Sequence, residues 1–301
     1  AATEHLNTCE DKTSIAEDAM HLRLLDPYIG NLALDQVHMG TLKAFISARK
    51  KAGVRNPEQG VKNRTIKYSL QIGRRILHLA AHDWRDQSGL TWLAVAPKIR
   101  FLPESDRRKP YPMSWEEQSR LLRELPPHLQ RMALFKVNSG CREAEVCGLR
   151  WDWEVRVPEL DTSVFLIPEA QVKNREERLV VLNRIARSVI DEQRGQHATF
   201  VFTYKGCAIQ RMNGNSWRKA RTRAGLPEVR VHDLKHTFGR RLRAAGVSFE
   251  DRQDLLGHKS GRITTHYSAA ELRNLIEAAN RVSEQNSGKS PALTILNRKT
   301  G

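Results

Sequence analysis

Apolar side chains recur at helical spacing through the first hundred residues of the chain. One stripe begins directly after Ser14, which together with Glu17 predicts a capping box at the start of a helix. A longer stripe runs from residue 63 to residue 84. Its apolar positions are Ile66, Leu70, Gly73, Leu77 and Ala80. The pattern predicts a small bundle made only of helices.

The helical pattern stops between Pro97 and Pro112, where the sequence reads PKIRFLPESDRRKPYP. Four prolines and five cations without a helical period predict an extended linker. Helical patterning resumes after a second predicted capping box, Ser114 with Glu117, and continues through Phe135. A second domain is therefore expected to begin at Ser114.

The middle of this second domain has a different pattern. The runs TSVFLIP and RLVVLN are rich in β-branched and aliphatic residues, and the polar stretch EAQVKNREE separates them. This order predicts strand, turn and strand, with Lys173 at or near the turn. Helical patterning returns from Ile185 onward and is broken by one short apolar run, TFVFTY. The expected fold is mainly α with a small β-hairpin or sheet in the second domain, an α+β arrangement.

A chain of 301 residues exceeds the size that one hydrophobic core usually serves, which agrees with two domains. The predicted division is a helical domain over 1–100, a linker over 101–113, a second domain over 114–284 and a tail over 285–301. The chain begins at Ala1 rather than at a methionine, as expected of a fragment whose native N-terminus lay upstream.

The charge of the chain points to a polyanionic partner. Its net charge is +16 and its pI is about 10.0, and nucleic acid is the leading candidate for such a basic chain. Candidate DNA-binding cations lie on the polar face of the 63–84 helix and in the linker. They are Arg64, Lys67, Arg74, Arg75, Arg107, Arg108 and Lys109. The alternative interpretation is an ordinary solvated face.

The cysteines and the hydropathy pattern favour a cytoplasmic protein. Cys9, Cys141, Cys147 and Cys207 form no C-x-x-C pair and lack the spacing of a zinc or disulfide framework, so reduced thiols are expected. The sequence has no secretory signal pattern at its start and no apolar run long enough to span a bilayer. No membrane association is predicted.

Four motifs occur in chain order in the second domain: SGCREAEVCGLRW, VKNREERLVVL, VHDLKHTFGRRL and LLGHKSGRITTHYS. Each motif is weakly specific by itself. Together, on a basic chain of two domains, they resemble the tyrosine recombinases, also called the phage integrase family. The resemblance covers almost the whole chain, because the helical first domain is similar to the family's core-binding domain.

The resemblance assigns roles to particular residues. The family's TGxRxxE is met by Arg142 and Glu145, its hairpin lysine by Lys173, and its LGH followed by a tyrosine by His258 and Tyr267. The implied catalytic residues are Arg142, Lys173, His232, Lys235, His258 and Tyr267. Glu145 is implied to orient its neighbours, Tyr267 to be the nucleophile that forms a 3′-phosphotyrosyl bond, and Lys173 to protonate the leaving 5′ oxygen. No metal and no cofactor are implied.

One catalytic position departs from the family. Where the family has its second arginine, in HxLRHT, this chain has Lys235. An arginine binds two phosphate oxygens with a planar fork, whereas a lysine offers a compact point charge. Slower or less tightly organised cleavage than in an arginine-containing relative is therefore expected.

Three other interpretations remain open. Lys235 makes a DNA-binding protein with impaired or lost catalysis credible, and a topoisomerase of the tyrosine type would share the chemistry without the strand exchange. The third is a zinc metalloprotease, because His232 and His236 share the spacing of H-E-x-x-H. Against it, Asp233 replaces the required glutamate and no third ligand is evident. No metal site is predicted.

The family resemblance also implies an assembly. The two domains are expected to form a C-shaped clamp around a double-stranded recombination, or attachment, site. Four protomers are expected on two DNA sites, and DNA-bending accessory proteins are possible partners. The tail after Ser283 contains the apolar run ALTIL, which is expected to dock on a neighbouring protomer.

Overall fold

The structure is a computed structural model that describes residues 1–9, 12, 14–54, 57–105, 108–258 and 268–284. Tyr267, Arg107 and the tail over 285–301 therefore lie outside the described residues. The chain divides into two compact units, and the division falls between Lys109 and Pro110.

Four α-helices form the first unit within the part of it that the structure describes. They are α1 (Ala2–Thr8), α2 (Ile15–Ile29), α3 (Lys43–Lys51) and α4 (Asn63–His82). The apolar stripe predicted on α4 packs into the core of this unit, where Phe45, Leu70 and Leu77 are almost wholly buried. Phe101 and Leu102, from the start of the predicted linker, pack against the same core.

The capping box predicted at Ser14 does not form, although α2 begins at the expected residue. The Ser14 side chain makes no capping hydrogen bond, because its backbone (φ −106°, ψ 24°) lies outside the extended region that an N-cap residue adopts. The second predicted box does form, since Ser114 is extended (φ −67°, ψ 169°). Ser114 Oγ accepts from Glu117 N at 3.1 Å, and Ser114 N donates to Glu117 Oε2 at 2.8 Å.

The second unit contains eight helices and five short strands within the described residues. The helices are α5 (Trp115–Glu124), α6 (Pro127–Ser139), α7 (Glu143–Cys147), α8 (Arg184–Gln193), α9 (Asn215–Arg223), α10 (Val231–Ala244), α11 (Phe249–Leu256) and α12 (Ala269–Glu284). The strands are β1 (Glu154–Val157), β2 (Thr162–Ile167), β3 (Arg178–Val181), β4 (Thr203–Tyr204) and β5 (Cys207–Ala208). The expectation of a mainly helical fold with small antiparallel sheets is confirmed.

The predicted hairpin is present as β2 and β3, which pair antiparallel with Val164 opposite Val181 and Phe165 opposite Val180. An additional strand, β1, pairs with the other edge of β2. The sequence EVRV of β1 gives little signal, because two of its four residues are exposed. The run TFVFTY supplies β4, a two-residue strand paired with β5.

Two of the apolar clusters among the described residues of the second unit place the elements that carry the motifs. Helix α6 is buried along most of its length and packs against α8 and α10. A second cluster, which includes Phe238, Leu255 and Leu275, joins α10, α11 and α12. The loop after α6, the β2–β3 turn, helix α10 and the end of α11 are thereby fixed next to one another. Across the described ranges, no helix has the length and apolar character that crossing a bilayer requires.

Candidate active site

Arg142 lies at the start of α7, where the chain leaves α6 through a tight turn. The turn requires Gly140, whose backbone is left-handed (φ 66°) and whose absent Cβ would lie 2.8 Å from the Phe238 ring. Arg142 is half-buried, and its guanidinium donates to Glu145 Oε1 at 2.8 Å, to Asn174 Oδ1 at 3.3 Å and to the Gly257 carbonyl at 3.1 Å. Three chain segments therefore meet at this one side chain.

Glu145 is the buried acid of the site. Its carboxylate accepts from the backbone N–H of Arg142 at 2.7 Å and lies 3.9 Å from Nε of Arg178. Burial disfavours the charged form, but the cations Arg178, Arg142 and Lys235 and the hydrogen bonds from Arg142 outweigh it, so the pKa of the Glu145 carboxyl is lowered. The carboxylate is charged at neutral pH and contacts the guanidinium groups of Arg142 and Arg178, while the orienting role expected of Glu145 stays a prediction.

Lys235 is buried in α10, and its ammonium group contacts both the loop after α6 and the last residue of α11. Its Nζ donates to the Gly140 carbonyl at 2.7 Å and also to the Leu256 carbonyl. Burial, followed by the charges of Arg178 and Arg142, lowers the pKa of Lys235 to about 7, while Glu145 opposes this change. Two of its three N–H donors contact backbone carbonyls, which leaves one for a phosphate oxygen.

Lys136 is a second buried lysine, and the sequence analysis did not single it out. It lies on α6, is fully buried, and donates to the Cys141 carbonyl, next to the carbonyl that Lys235 contacts. Burial lowers the pKa of Lys136 to about 8. The signal was a lysine inside the apolar run MALFKVNSG, where an uncompensated charge is costly.

His232 lies at the start of α10, with His236 one turn later. Their ring centroids are 4.7 Å apart in an edge-to-face arrangement. Desolvation beside the helix, together with His236 and the cations Lys136 and Lys235, lowers the pKa of His232 to about 4, although part of the side chain is exposed. His232 is therefore neutral at physiological pH and able to accept a proton. No group of three potential metal-ligating side chains occurs among the residues with assigned positions.

His258 follows Gly257, the residue that caps the end of α11 in the left-handed conformation (φ 56°). The backbone N–H of His258 donates to the Gln253 carbonyl at 3.0 Å and closes the helix end. Partial burial, followed by the charges of Lys235 and Arg142, lowers the pKa of the His258 ring. Its neutral imidazole has a donor available for a phosphate oxygen.

The β2–β3 turn contributes the third side of the site. Lys173 lies at this turn, the position predicted for it, and is exposed, whereas Asn174 beside it is half-buried against Arg142. Arg178, at the start of β3, is buried and donates to the carbonyls of Asp254 and Leu255, both at 2.7 Å. Arg178 thus fixes the end of α11 to the hairpin.

The predicted DNA-binding cations of the first unit lie mainly on one face of α4. Arg64, Arg74 and Arg75 are exposed. The Arg74 guanidinium stacks 4.7 Å from the centroid of the Phe101 ring. Lys67 is less available than expected, because its Nζ forms an ion pair with Glu104 at 2.7 Å. In the linker, Lys109 is exposed and Arg108 is half-buried.

A further basic surface was not predicted. Helix α9 exposes Arg218 and Lys219, and Arg211 is exposed in the loop that precedes it. The Glu143 carboxylate accepts from the backbone N–H groups of residues 212 and 213 at 2.7 and 2.8 Å, so this loop is tied to α7. The sequence feature that indicates this basic surface is the cation-rich run GNSWRKARTR.

The structure brings five of the predicted residues into one cluster: Arg142, Glu145, His232, Lys235 and His258 surround the loop at Gly140 and the end of α11. Lys173 lies at the adjoining turn. Such a concentration of cations and neutral histidines is suited to a phosphate with developing negative charge.

The comparisons with known proteins identify the family. The profile of the phage integrase family matches residues 114–273, more than half of the chain, and the chain belongs to this family. The integrase of Salmonella phage P22 is 26% identical over 245 residues, a region that covers 77% of this chain and 60% of that integrase. The chain thus matches about three fifths of the length of this relative.

Solved structures share the fold. A XerH site-specific recombinase bound to a palindromic difH substrate aligns with a TM-score of 0.62 and 18% identity, covering 91% of this chain and 83% of that one. A lambda integrase dimer bound to a COC′ core site also aligns with a TM-score of 0.62, at 14% identity, covering 88% of this chain and 98% of that one. The resemblance drawn from the four motifs is confirmed.

Proposed function

We propose that this protein is a site-specific DNA recombinase, the integrase of a phage or other mobile element, which cleaves and rejoins DNA through a 3′-phosphotyrosyl intermediate. The observation that carries the proposal is the cluster of Arg142, Lys235 and His258 around the end of α11, with a buried carboxylate orienting the arginine. Membership of the phage integrase family supports the same reaction class.

The cluster suits the electrostatics of phosphoryl transfer. A phosphodiester is an anion that repels nucleophiles, and its transition state concentrates more charge on the non-bridging oxygens. Arg142 and Lys235 neutralise that charge and His258 donates a further hydrogen bond. Because these groups are already held by Glu145 and by backbone carbonyls, little reorganisation is needed during the reaction.

The proposed cleavage step is a transesterification in which a tyrosine replaces the 5′ oxygen on the phosphorus. The hydroxyl oxygen of Tyr267 attacks the phosphorus, the new bond links the tyrosine to the 3′-phosphate, and the bond to the 5′ oxygen breaks. The phenolic proton passes to neutral His232, whose lowered pKa leaves it unprotonated at neutral pH. The ammonium of Lys173 gives a proton to the departing 5′ oxygen. A free 5′-hydroxyl from another strand reverses the step and reseals the DNA.

The proposed partner is duplex DNA that carries a recombination site. The exposed cations of α4, with Arg74 stacked on Phe101, and those of α9 are suited to contact its phosphates. We further propose a homotetramer on two such sites in the cytoplasm, assisted by DNA-bending proteins. A lambda integrase tetramer bound to a Holliday junction aligns with this chain at a TM-score of 0.61. The shared fold supports the proposal that this chain can form such an assembly.

Trapping of a covalent adduct tests the proposal. Duplexes taken from the ends of the source mobile element are nicked near the candidate crossover, so that the cleaved fragment diffuses away. The wild-type protein is expected to give a slowly migrating protein–DNA adduct on a denaturing gel, and Tyr267→Phe none. Specific binding without any adduct would favour the binding-only alternative. Relaxation of supercoiled DNA without recombination of paired sites would favour a topoisomerase.

A further inference from the structure

Asn174 makes contacts that its neighbour Lys173 does not. Both residues lie in the turn between β2 and β3, but Lys173 is exposed and Asn174 is half-buried. Among the residues that the structure describes, the Lys173 side chain has no hydrogen-bond or ion-pair partner. The position of the Lys173 ammonium therefore depends on how the turn itself is held.

Two hydrogen bonds of Asn174 hold this turn against the site, and a third joins the two groups that Asn174 contacts. The guanidinium of Arg142 donates from the same nitrogen, Nη2, to Asn174 Oδ1 at 3.3 Å and to the Gly257 carbonyl at 3.1 Å. The Asn174 Nδ2 group donates to that same Gly257 carbonyl at 3.4 Å. The three groups form a closed triangle that joins the start of α7, the hairpin turn and the residue before His258.

The chemistry of the triangle requires a side-chain amide. Its oxygen must face a guanidinium, which only donates, and its nitrogen must face a carbonyl, which only accepts. A carboxylate could accept from Arg142 but would repel the carbonyl of Gly257. A flipped amide would oppose donor to donor and acceptor to acceptor, so the orientation of Asn174 is fixed by its partners.

We propose that Asn174 is a positioning residue that ties the hairpin carrying Lys173 to Arg142 and to the end of α11. The inference rests on the proposed function, in which Lys173 protonates the leaving 5′ oxygen. Arg142 binds the phosphate and Asn174 contacts Arg142, so the lysine is held at a defined place relative to the phosphate. In this role Asn174 acts through Lys173 and Arg142 rather than by contact with the DNA.

The test compares two cleavage substrates that differ in one atom. In the first, the 5′-bridging atom at the cleavage site is the natural oxygen, and in the second it is sulfur, which leaves as a thiolate and needs no proton. Single-turnover cleavage is measured for wild type, Asn174→Ala and Asn174→Asp. Lys173→Ala is the reference for loss of the proton donor, and Arg142→Lys is the reference for loss of phosphate binding.

Removal of a general acid typically costs about 10²- to 10⁴-fold in rate, so loss of its positioning is expected to slow cleavage of the oxygen substrate by roughly 10- to 100-fold. With the sulfur substrate, Asn174→Ala and Lys173→Ala should both recover to within about threefold of wild type, whereas Arg142→Lys should remain slow. Asn174→Asp should behave like Asn174→Ala, because it also loses the bond to Gly257.

Two results would overturn the inference, and a third would overturn the proposed function on which it rests. Equal slowing of Asn174→Ala and Asn174→Asp on both substrates would assign Asn174 to phosphate binding or to stability. An unchanged rate on the oxygen substrate would show that the triangle has no kinetic role. If wild type cleaves neither substrate, the proposed function itself fails. If wild type cleaves both substrates while the Asn174 variants fail on both, only the inference about Asn174 fails.

Discussion

The ionisation of Lys235 predicts how the cleavage rate depends on pH. This lysine is 5% exposed and its pKa is lowered to about 7 from 10.5. At 1.36 kcal/mol for each pKa unit, holding the ammonium charged in this place costs roughly 5 kcal/mol relative to water. The charge that the site needs is therefore lost within the physiological pH range.

Replacement of Lys235 by arginine removes this titration, because a guanidinium stays protonated in proteins. A group with a pKa of about 7 is about 90% protonated at pH 6 and about 10% protonated at pH 8. If cleavage requires the charged form, the wild-type rate divided by the Lys235→Arg rate should fall roughly tenfold between these two pH values. Deprotonation of the tyrosine affects both proteins equally and cancels in the ratio.

The assay is cleavage of a nicked duplex at DNA concentrations far below saturation, where the rate reports the ionisation of the free protein. His232 and His258 have lowered pKa values and stay neutral across most of the range, and Lys136, with a pKa of about 8, is common to both proteins. Thermal unfolding of Lys235→Arg checks that the larger side chain is accommodated. A ratio that stays constant within about twofold from pH 6 to pH 8 would refute the reasoning.

Lys235→Arg is also expected to cleave faster than wild type, and an equal or lower rate at pH 8 would contradict the sequence-based expectation.

Gly257→Ala should unfold at lower denaturant concentration, by a few kcal/mol in the free energy of unfolding, because its φ is 56° and the added Cβ would lie 2.5 Å from the buried Arg178. Gly246→Ala is the matched control, since its φ is 72° but nothing lies within 4 Å of the added Cβ; an equal loss in both would show that the contact with the arginine is unimportant. Glu145→Gln should destabilise the protein by about 3 kcal/mol near pH 7. The folded pKa of Glu145 is lowered, so its contribution is present above the ordinary value of 4.5 and is lost as the pH falls through the folded value; a gap between variant and wild type that does not narrow in acid would contradict this. Arg74→Ala should weaken DNA binding at every sequence and reduce the slope of log affinity against log salt by about one, and an unchanged slope would remove this residue from the phosphate contacts.

Much of the fold followed from local pattern. The β2–β3 hairpin and the stripe on α4 were predictable because β-branched runs and a 3.6-residue repeat report directly on local structure. The two predicted capping boxes show where such reasoning stops. Ser14 and Ser114 have the same motif, but only Ser114 adopts the extended backbone that directs its oxygen to the helix N–H groups. The motif does not specify that backbone conformation.

The candidate site was predictable as a set of residues but not as a set of contacts. Motif spacing indicated Arg142 and Lys235, whereas the bracing of Gly140 by Lys235 depends on residues 95 positions apart in the chain. Lys136 and Asn174 were missed for the same reason. Their roles arise from carbonyls and a guanidinium that tertiary packing brings to them. The apolar run around Lys136 indicates a buried lysine, but neither that run nor the sequence around Asn174 indicates which groups the two side chains contact.

The most direct test of the central claim is to identify the residue that becomes covalently attached to DNA. The trapped adduct is digested with nuclease and trypsin, and the tryptic peptide over residues 263–273, which contains Tyr267 as its one tyrosine, is analysed by mass spectrometry. The account predicts a nucleotide remnant joined through a 3′-phosphate to Tyr267. In the Lys173→Ala protein the same remnant is expected, in an amount reduced in proportion to the slower cleavage. A remnant on any other residue, or an adduct through a 5′-phosphate, would contradict the assignment of nucleophile and reaction.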